Sequence, residues 1–158
     1  MIIGGYALPF YGRVRTTIDV SLAVAIKDEK ELEQFREWLQ SIGFETINYS
    51  ARNPLIVVLD RKEKVEIELW LRPDGIVFDE EALRRRRKVK LDENLEAWII
   101  SPEDFITNKL ARPDRGAVDE QDVKSVLTRQ EGKLDVKYLK RRAKGAQVFA
   151  ILENLQTQ

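Results

Sequence analysis

The chain contains neither histidine nor cysteine among its 158 residues. Without histidine, Ser-His-Asp and Cys-His nucleophilic catalysis are excluded, and without both residue types nearly all zinc sites are excluded as well. The lack of cysteine also rules out disulfides and iron-sulfur clusters. Chemistry in this protein must therefore depend on carboxylates, hydroxyls, Lys, Arg, backbone amides, or a hard cation bound by oxygen atoms.

The chain also lacks a net charge and a long apolar segment. Its 27 basic and 27 acidic residues balance, so any attraction to nucleic acid must come from a local basic patch. No apolar run approaches the roughly 20 residues that cross a bilayer. Residues 1–25 carry Arg13, Arg15 and Asp19 where a signal peptide would have its cleavage region. We therefore expect a soluble globular protein in the cytoplasm.

The first half of the chain predicts strands around one amphipathic helix. Residues 17–26 are mostly β-branched and apolar, which indicates a buried strand. Between residues 27 and 42 apolar side chains recur at three- and four-residue spacing, which predicts a helix that Gly43 ends. Three further segments have the composition of strands, the last two as a hairpin: 44–49, 54–60 and 64–72.

The second half predicts a two-stranded ribbon followed by helices. Residues 84–100 form the ribbon, with a turn at residues 92–94. Ser101, Pro102 and Glu103 have the pattern of a helix start, so a helix should run to about Leu110. Further helices are expected around three segments: 118–129, 136–144 and 147–155. The predicted strands lie mainly in the first part of the chain and the predicted helices in the last part. This order indicates an α+β fold.

Two domain arrangements fit this layout. Residues 1–100 would form an α/β core, and residues 101–158 would form a helical C-terminal part packed on that core. Both segments also fit within the length of one single domain.

Paired glycines, Gly4 and Gly5, follow the short apolar stretch at the start of the chain. Because glycine has no Cβ, backbone amides at such a turn can approach a ligand closely, and a helix opened there would add the positive end of its dipole. A turn of this kind suits the phosphates of a nucleotide. Taken alone, a Gly-Gly pair more often forms only a turn.

The spacing around the glycines is more specific. The stretch reads Gly4-Gly5-x-Ala7-Leu8-x-x-x-Gly12-x-x-Arg15-x-Thr17-x-Asp19-x-x-Leu22. It resembles the signature of the polymerase-β-type nucleotidyltransferase superfamily, in the minimal branch that includes the AbiEii-type and MenT-type toxins of toxin-antitoxin systems. Residues 101–127 resemble the helical segment of that family, with these residues in order: Ser101, Glu103, Asp104, Lys109, Arg115, Asp119 and Asp122.

The resemblance implies a nucleotidyltransferase-like mixed sheet flanked by helices, and a phosphoryl-transfer site with two metal ions. Carboxylates on neighbouring strands would hold Mg²⁺ ions about 4 Å apart, and the glycine turn would hold a triphosphate. The implied reaction moves a nucleoside monophosphate from a nucleoside triphosphate to RNA, such as tRNA, to a protein or to a small molecule. The resemblance also implies a toxin role and an antitoxin protein as partner. In such proteins a helix usually precedes the first strand, whereas this sequence begins almost at the glycine turn.

Asp19 is the first metal ligand that the resemblance implies. Alternate residues of a strand share a face, so positions 19 and 21 would both point into the site. The family's second acid is expected at position 21, but Ser21 stands there and removes one negative charge. Glu66 and Glu68 offer a later acid, with Glu66 the better match, although both could instead face water. The candidate catalytic residues are thus Asp19, Glu66 and Glu68, with Asp19 and Glu66 as Mg²⁺ ligands.

The candidate nucleotide-binding residues are listed together: Gly4, Gly5, Arg15, Ser21 and Lys109. By resemblance, Lys109 would reach a phosphate from the helical half, although it could also be a surface lysine. Arg15 would brace the strand or the phosphates. Asp119 and Asp122, three residues apart, fit pairing with Arg112 or Arg115 better than metal binding.

Two basic runs remain, RRRRK at residues 84–88 and KRRAK at residues 140–144. If residues 84–88 form a strand, alternate arginines face opposite sides and at least two guanidinium groups are free for RNA phosphates. The alternative is an edge strand protected from aggregation by its charge. The sequence therefore leaves three hypotheses: a nucleotidyltransferase, a catalytically impaired nucleotide- or RNA-binding module of the same fold, and an RNA-binding accessory domain.

Overall fold

A computed structural model of the protein describes residues 1–47 and 54–157, and within them six strands and six helices. The strands are β1 (Val20–Ala23), β2 (Phe44–Ile47), β3 (Leu55–Asp60), β4 (Val65–Trp70), β5 (Arg87–Asp92) and β6 (Leu95–Ile99). The helices are α1 (Glu29–Ser41), α2 (Glu80–Arg85), α3 (Pro102–Ala111), α4 (Ala117–Arg129), α5 (Val136–Gly145) and α6 (Phe149–Gln156). The predicted α+β class, with a mixed sheet and a helical C-terminal part, is confirmed.

The main sheet has the strand order β1-β4-β3-β2, in which β1 is parallel to β4 and the other neighbours are antiparallel. Helix α1 covers one face, where Leu32 and Leu39 pack in a cluster with Ile56, Val58 and Leu69. Because side chains alternate along a strand, the residues between these apolar positions point to the other face. That other face is the one on which the polar residues of β1 and β4 meet.

The first residues of the chain connect the main sheet to the β5-β6 ribbon. Ile2 forms an antiparallel bridge with Leu22 of β1 and a parallel bridge with Ile99 of β6. The Ile3 amide donates to the Ser21 carbonyl at 2.9 Å, and the Ile2 amide donates to the Trp98 carbonyl at 2.7 Å. The glycine turn therefore begins from a segment held by hydrogen bonds on both sides.

Four helices close the second half of the molecule around a core that both halves share. This core combines Ile3, Leu8 and Ile99 with Phe105 and Leu110 of α3, together with residues of α4, α5 and α6. The boundary expected near residue 100 stays a prediction. Within residues 1–47 and 54–157, no helix has the length and apolar character that a membrane span requires.

Side-chain caps explain where the predicted helices begin. Asp28, Ser101 and Asp135 each accept a hydrogen bond from the backbone amide three residues later, at the starts of α1, α3 and α5. Such bonds satisfy amide groups that the helix itself leaves unpaired. The helices predicted at these positions are confirmed, with ends that differ by a few residues.

The strand predicted over residues 17–26 is wrong at its ends, because only Val20–Ala23 pairs with β4. Ile18 is 92% exposed, so the β-branched residues before Val20 do not enter a core. For the strand predicted over residues 44–49, Phe44–Ile47 is observed and the last two residues lie outside the described part of the chain.

The ribbon predicted over residues 84–100 begins later than expected, because Arg84 and Arg85 end the helix α2. Asp79 caps this helix by accepting from the Ala82 amide, and Glu80 and Glu81 occupy its first turn. Acids at the start and arginines at the end complement the helix dipole. The sequence contained this signal, which the run of four arginines obscured.

The glycine turn differs from the expected helix. Residues Gly4–Tyr6 and Leu8–Phe10 form two three-residue 3-10 turns, so no helix dipole of useful length begins there. Gly4 has a φ of 64°, a conformation that favours glycine, and a Cβ on it would lie 3.0 Å from Ser21 Oγ. A Cβ on Gly5 would lie 2.5 Å from Thr17 Oγ1. Both glycines are therefore required by the close packing of the turn against residues 17–21.

The packing of this turn predicts a stability difference between two glycine substitutions. Gly5→Ala should lower the free energy of unfolding by about 1–3 kcal/mol, because the new methyl group overlaps Thr17. Gly145→Ala is the matched control, since nothing lies within 4 Å of a Cβ there. Urea unfolding monitored by circular dichroism measures both, and equal stabilities would contradict the tight packing at Gly5.

Candidate functional site

Two carboxylates and one hydroxyl meet on the sheet face opposite α1. In the parallel register Ser21 lies directly across from Glu68, and Ser21 Oγ is 3.0 Å from Glu68 Oε2. Ser21 Oγ is also 3.2 Å from Asp19 Oδ2. The expectation that positions 19 and 21 share a face thus agrees with the structure, and Glu68 completes the group from the neighbouring strand.

The hydroxyl group of Ser21 lies between two carboxylates but cannot donate a hydrogen bond to both. A hydroxyl has one proton, so Ser21 can donate to only one of the two carboxylates at a time. The other carboxylate then faces an oxygen lone pair. Trp70 Nε1 supplies a second donor to Glu68 Oε2 at 3.0 Å, and Thr17 Oγ1 donates to Asp19 at 3.3 Å. Asp19 is the solvent-exposed member, while Ser21 is only 6% exposed.

Glu66 lies farther from this group than Glu68. It occupies the same face of β4, two residues earlier, and is exposed. Extending the parallel register by one residue would place it beside Asp19, but β1 begins only at Val20. The assignment of Glu66 as a metal ligand stays a prediction, and the observed contacts favour Glu68.

A small cleft, with a cavity volume of about 30 Å³, opens beside Ser21. The sheet side of the cleft contributes Gly4, Ser21, Glu68 and Trp70. The helical side contributes Asn108 and Lys109 of α3, and Arg112, which follows the end of that helix. Glu68 thus lies on the sheet side, and Lys109 and Arg112 lie on the helical side, where Asp74 also lines the cleft and where each cation is paired with an aspartate. The hydrogen bonds from Arg112 to Asp114 raise the pKa of Arg112, and the negative charge of Glu68 adds to this shift.

Lys109, a predicted nucleotide-binding residue, is almost completely buried. Only 2% of its surface is exposed. Its Nζ donates to Asp119 Oδ1 at 2.9 Å and lies 3.4 Å from Asp122 Oδ2. Burial alone would raise the pKa of Asp119, but the hydrogen bonds from Lys109 and from the Gly116 amide outweigh it and hold that pKa below its ordinary value. The surface-lysine alternative is excluded.

Asp122 ties the segment before Asp19 to the helical half. It is fully buried and accepts from Arg13 Nε at 2.9 Å and from Arg15 Nε at 3.1 Å. Arg15 thus braces the chain onto α4 through a carboxylate, and its assignment as a nucleotide-binding residue stays a prediction. Of the two predicted partners of the aspartates, Arg112 pairs with Asp119 at 3.9 Å, whereas Arg115 pairs with Glu120.

Sequence reasoning missed two cleft residues, Trp70 and Asn108, and one residue outside the cleft, Arg13, which pairs with Asp122. These residues carried no signal, because their roles depend on contacts between distant segments. Asn108 donates from Nδ2 to the Asp74 carbonyl at 2.8 Å, across 34 residues of chain. Arg112 was considered only as a partner of the aspartates, although it also lines the cleft.

The donor set fits one hard divalent cation better than two. Mg²⁺ is commonly bound by one or two carboxylates together with substrate phosphates, and Asp19 and Glu68 supply two carboxylates around one hydroxyl. Within residues 1–47 and 54–157, no three acidic side chains gather in a group able to hold a metal ion. A metal at this site would therefore need ligands from a bound substrate.

Comparison with known proteins assigns the chain at the level of a family. The sequence model of the family described as "Nucleotidyl transferase of unknown function (DUF2204)" matches residues 1–156. No curated protein matches the chain.

The buried charges predict that Asp122 is essential for stability. Asp122→Ala should cost about 3–5 kcal/mol of unfolding free energy, because it leaves a buried lysine and two arginines without their shared carboxylate. Glu120→Ala is the control on the same helix, with an exposed pair that should be worth about 0–1 kcal/mol. Chemical denaturation of both variants measures this difference. An Asp122→Ala protein as stable as the Glu120→Ala protein would show that the cluster does not hold the two halves together.

Proposed function

Because the chain belongs to the family of nucleotidyl transferases of unknown function, we propose that it transfers a nucleoside monophosphate from a nucleoside triphosphate to an acceptor in a Mg²⁺-dependent reaction. RNA is the acceptor we favour, and the toxin role and antitoxin partner implied by the resemblance stay predictions.

One observation carries this proposal. The Asp19, Ser21 and Glu68 group lies in the same region as the glycine turn, and Lys109 and Arg112 line the opposite wall of the cleft. A nucleoside triphosphate carries several negative charges, which need cations on one side and a metal site on the other. The cleft has both kinds of wall.

Each wall has a distinct role in the proposed reaction. Asp19 and Glu68 would hold Mg²⁺, which neutralises charge that develops on the phosphates during transfer. Gly4 lines the cleft without a side chain, so the triphosphate can approach the backbone there. Arg112, which follows α3, would face the phosphates and stabilise negative charge on the leaving pyrophosphate, while the buried Lys109 holds this wall in place through Asp119 and Asp122.

The proposed chemistry is a single displacement. A hydroxyl oxygen of the acceptor forms a bond to the α-phosphorus, and the bond from that phosphorus to the bridging oxygen breaks. Pyrophosphate leaves with the electron pair of the broken bond. Asp19 accepts the proton of the acceptor hydroxyl, since it is the solvent-exposed carboxylate of the group.

An impaired binding module is the second candidate. It is favoured by the hydroxyl at position 21 and by the lack of a third acid in the group among the described residues. Loss of one electrostatic contact commonly costs about 10²-fold or more in rate. This candidate retains nucleotide or RNA binding and lacks transfer.

Label transfer tests the proposed function directly. The wild-type protein, incubated with each labelled nucleoside triphosphate, Mg²⁺ or Mn²⁺ and total RNA, should move the label onto RNA. Asp19→Ala should reduce transfer by about 10²-fold or more, because it removes both a metal ligand and the proton acceptor. Glu63→Ala, which changes an exposed acid in the β3-β4 turn, is the matched control and should remain active.

Thermal melting separates the two candidates. Mg²⁺ with a nucleoside triphosphate should raise the melting temperature of the wild type, and Asp19→Ala should abolish the shift, since ligands stabilise the state that binds them. A melting shift without label transfer would identify the impaired module. A result with neither a melting shift nor label transfer for any of the four nucleotides would contradict the enzyme and the nucleotide-binding form of the impaired module.

Position 21 gives a second prediction. Ser21→Asp places a third carboxylate within the Asp19 and Glu68 group, so without metal the variant should melt below the wild type through like-charge repulsion. Added Mg²⁺ should then raise its melting temperature more than that of the wild type. Ser21→Asn is the neutral control of similar size. Weaker or equal binding of Mg²⁺ to Ser21→Asp in calorimetric titration would show that position 21 takes no part in a metal site.

A further inference from the structure

The β5-β6 ribbon has one face that the core does not use. Val89 and Ala97 pack against the hydrophobic core from the other face. The opposite face carries Lys88, Lys90 and Trp98, because Lys88 lies directly across from Trp98 in the antiparallel register and Lys90 follows two residues later. Arg86 joins them, with its guanidinium 4.3 Å from the centre of the Trp98 ring. We call these four residues the ribbon face.

From this placement we propose that the ribbon face binds single-stranded RNA and so holds the acceptor beside the cleft. The inference rests on the proposed function for its biological meaning, but binding itself requires neither nucleotide nor metal.

Charge and aromatic surface are combined on the ribbon face. Trp98 is 41% exposed. Lys88 pairs with Glu96 on the same face, so Arg86 and Lys90 supply most of the positive charge. Single-stranded nucleic acids bind where cations track the backbone and bases stack on aromatic rings or on guanidinium planes. Arg86, which lies over the Trp98 ring, and the exposed part of that ring offer such a surface. Bases of a duplex are already stacked and cannot use it.

The other basic run does not offer an equivalent surface. Arg142 of α5 donates to both carboxylate oxygens of Asp79 at 2.8 and 2.7 Å, and Arg141 pairs with Glu81. Lys144 lies over the ring of Phe149. These cations hold α5 against α2 and α6. The whole chain has no net charge, so attraction to phosphates must be local. Because these cations of α5 already have partners, the ribbon face is the better candidate for it.

The ribbon face is also close to the cleft along the sheet. Backbone hydrogen bonds join Ile2 to Trp98 of β6 and Ile3 to Ser21 of β1. Neighbouring strands in a sheet lie about 4.8 Å apart, and the segment with Ile2 and Ile3 lies between β6 and β1. The β6 backbone is therefore about 10 Å from the β1 backbone. An RNA strand bound on the ribbon face can therefore extend its end into the cleft.

Fluorescence anisotropy of a labelled, unstructured pyrimidine RNA, in EDTA and without nucleotide, tests the proposal. The wild type should bind, with a logarithmic salt slope of about −2 for three phosphate contacts. Trp98→Ala should weaken binding by about 10-fold, as expected for loss of one stacked base, and Trp98→Phe should retain most of the affinity. Arg86→Gln combined with Lys90→Gln should weaken binding and reduce the slope by about 1.4.

The control removes the same charge elsewhere. Lys30→Gln combined with Lys62→Gln changes two exposed lysines outside the ribbon and should bind RNA like the wild type. Melting curves establish that each variant is folded. Ribbon variants with wild-type affinity, a wild type that does not bind the single strand, or a preference for duplex RNA would each overturn the proposal.

Failure of the ribbon proposal and failure of the proposed function give different results. RNA binding that depends on Arg86, Lys90 and Trp98 but survives Asp19→Ala, with no label transfer in the wild type, would retain the ribbon site and reject the enzyme. Label transfer to RNA that is unaffected by the ribbon variants would retain the enzyme and reject the ribbon site.

Discussion

The carboxylate of Asp122 adds a buried polar link between the two halves of this protein, which also share a hydrophobic core. Asp122 has no exposed surface, and its oxygens contact Arg13, Arg15 and Lys109. The arginines precede Asp19 in the chain, and Lys109 lies on the cleft wall formed by α3. Burying these charges is tolerable only because they neutralise one another within a few ångströms. The same contacts that stabilise the fold therefore fix the distance between the acidic wall and the cationic wall of the cleft.

The acidic wall owes its geometry to the sheet. Parallel pairing of β1 with β4 places Ser21 opposite Glu68, and the alternation of side chains brings Asp19 to the same face. The apolar residues of the same strands pack against α1 on the other face. A one-residue change of register would move the carboxylates into that apolar layer and is strongly disfavoured. The hydrophobic pattern that folds the sheet thus also sets the position of the charged group.

Local patterns predicted the fold better than they predicted the site. Caps such as Ser101 and the spacing of apolar residues located five helices, because these signals act within a few residues. Alternation also anticipated that Asp19 and position 21 share a face. The burial of Lys109 was not predictable, since it depends on Asp122, 13 residues later in another helix. The choice between Glu66 and Glu68 likewise depends on where β1 begins to pair, which follows from tertiary contacts of Arg13 and Arg15.

The first five residues connect the two surfaces on which the proposed activity depends. Ile2 is hydrogen-bonded to β6 on one side, and Ile3 is hydrogen-bonded to β1 on the other. The turn at Gly4 and Gly5 then packs closely against Ser21 and Thr17. A side chain on either glycine would press on the residues that hold Asp19 and, through the same backbone, on the strand that carries Trp98. Because both surfaces are built on one short hydrogen-bonded segment, an acceptor on the ribbon and a nucleotide in the cleft would be held in a fixed relation. A binding module alone has no need of that fixed relation, whereas transfer between two bound substrates requires it.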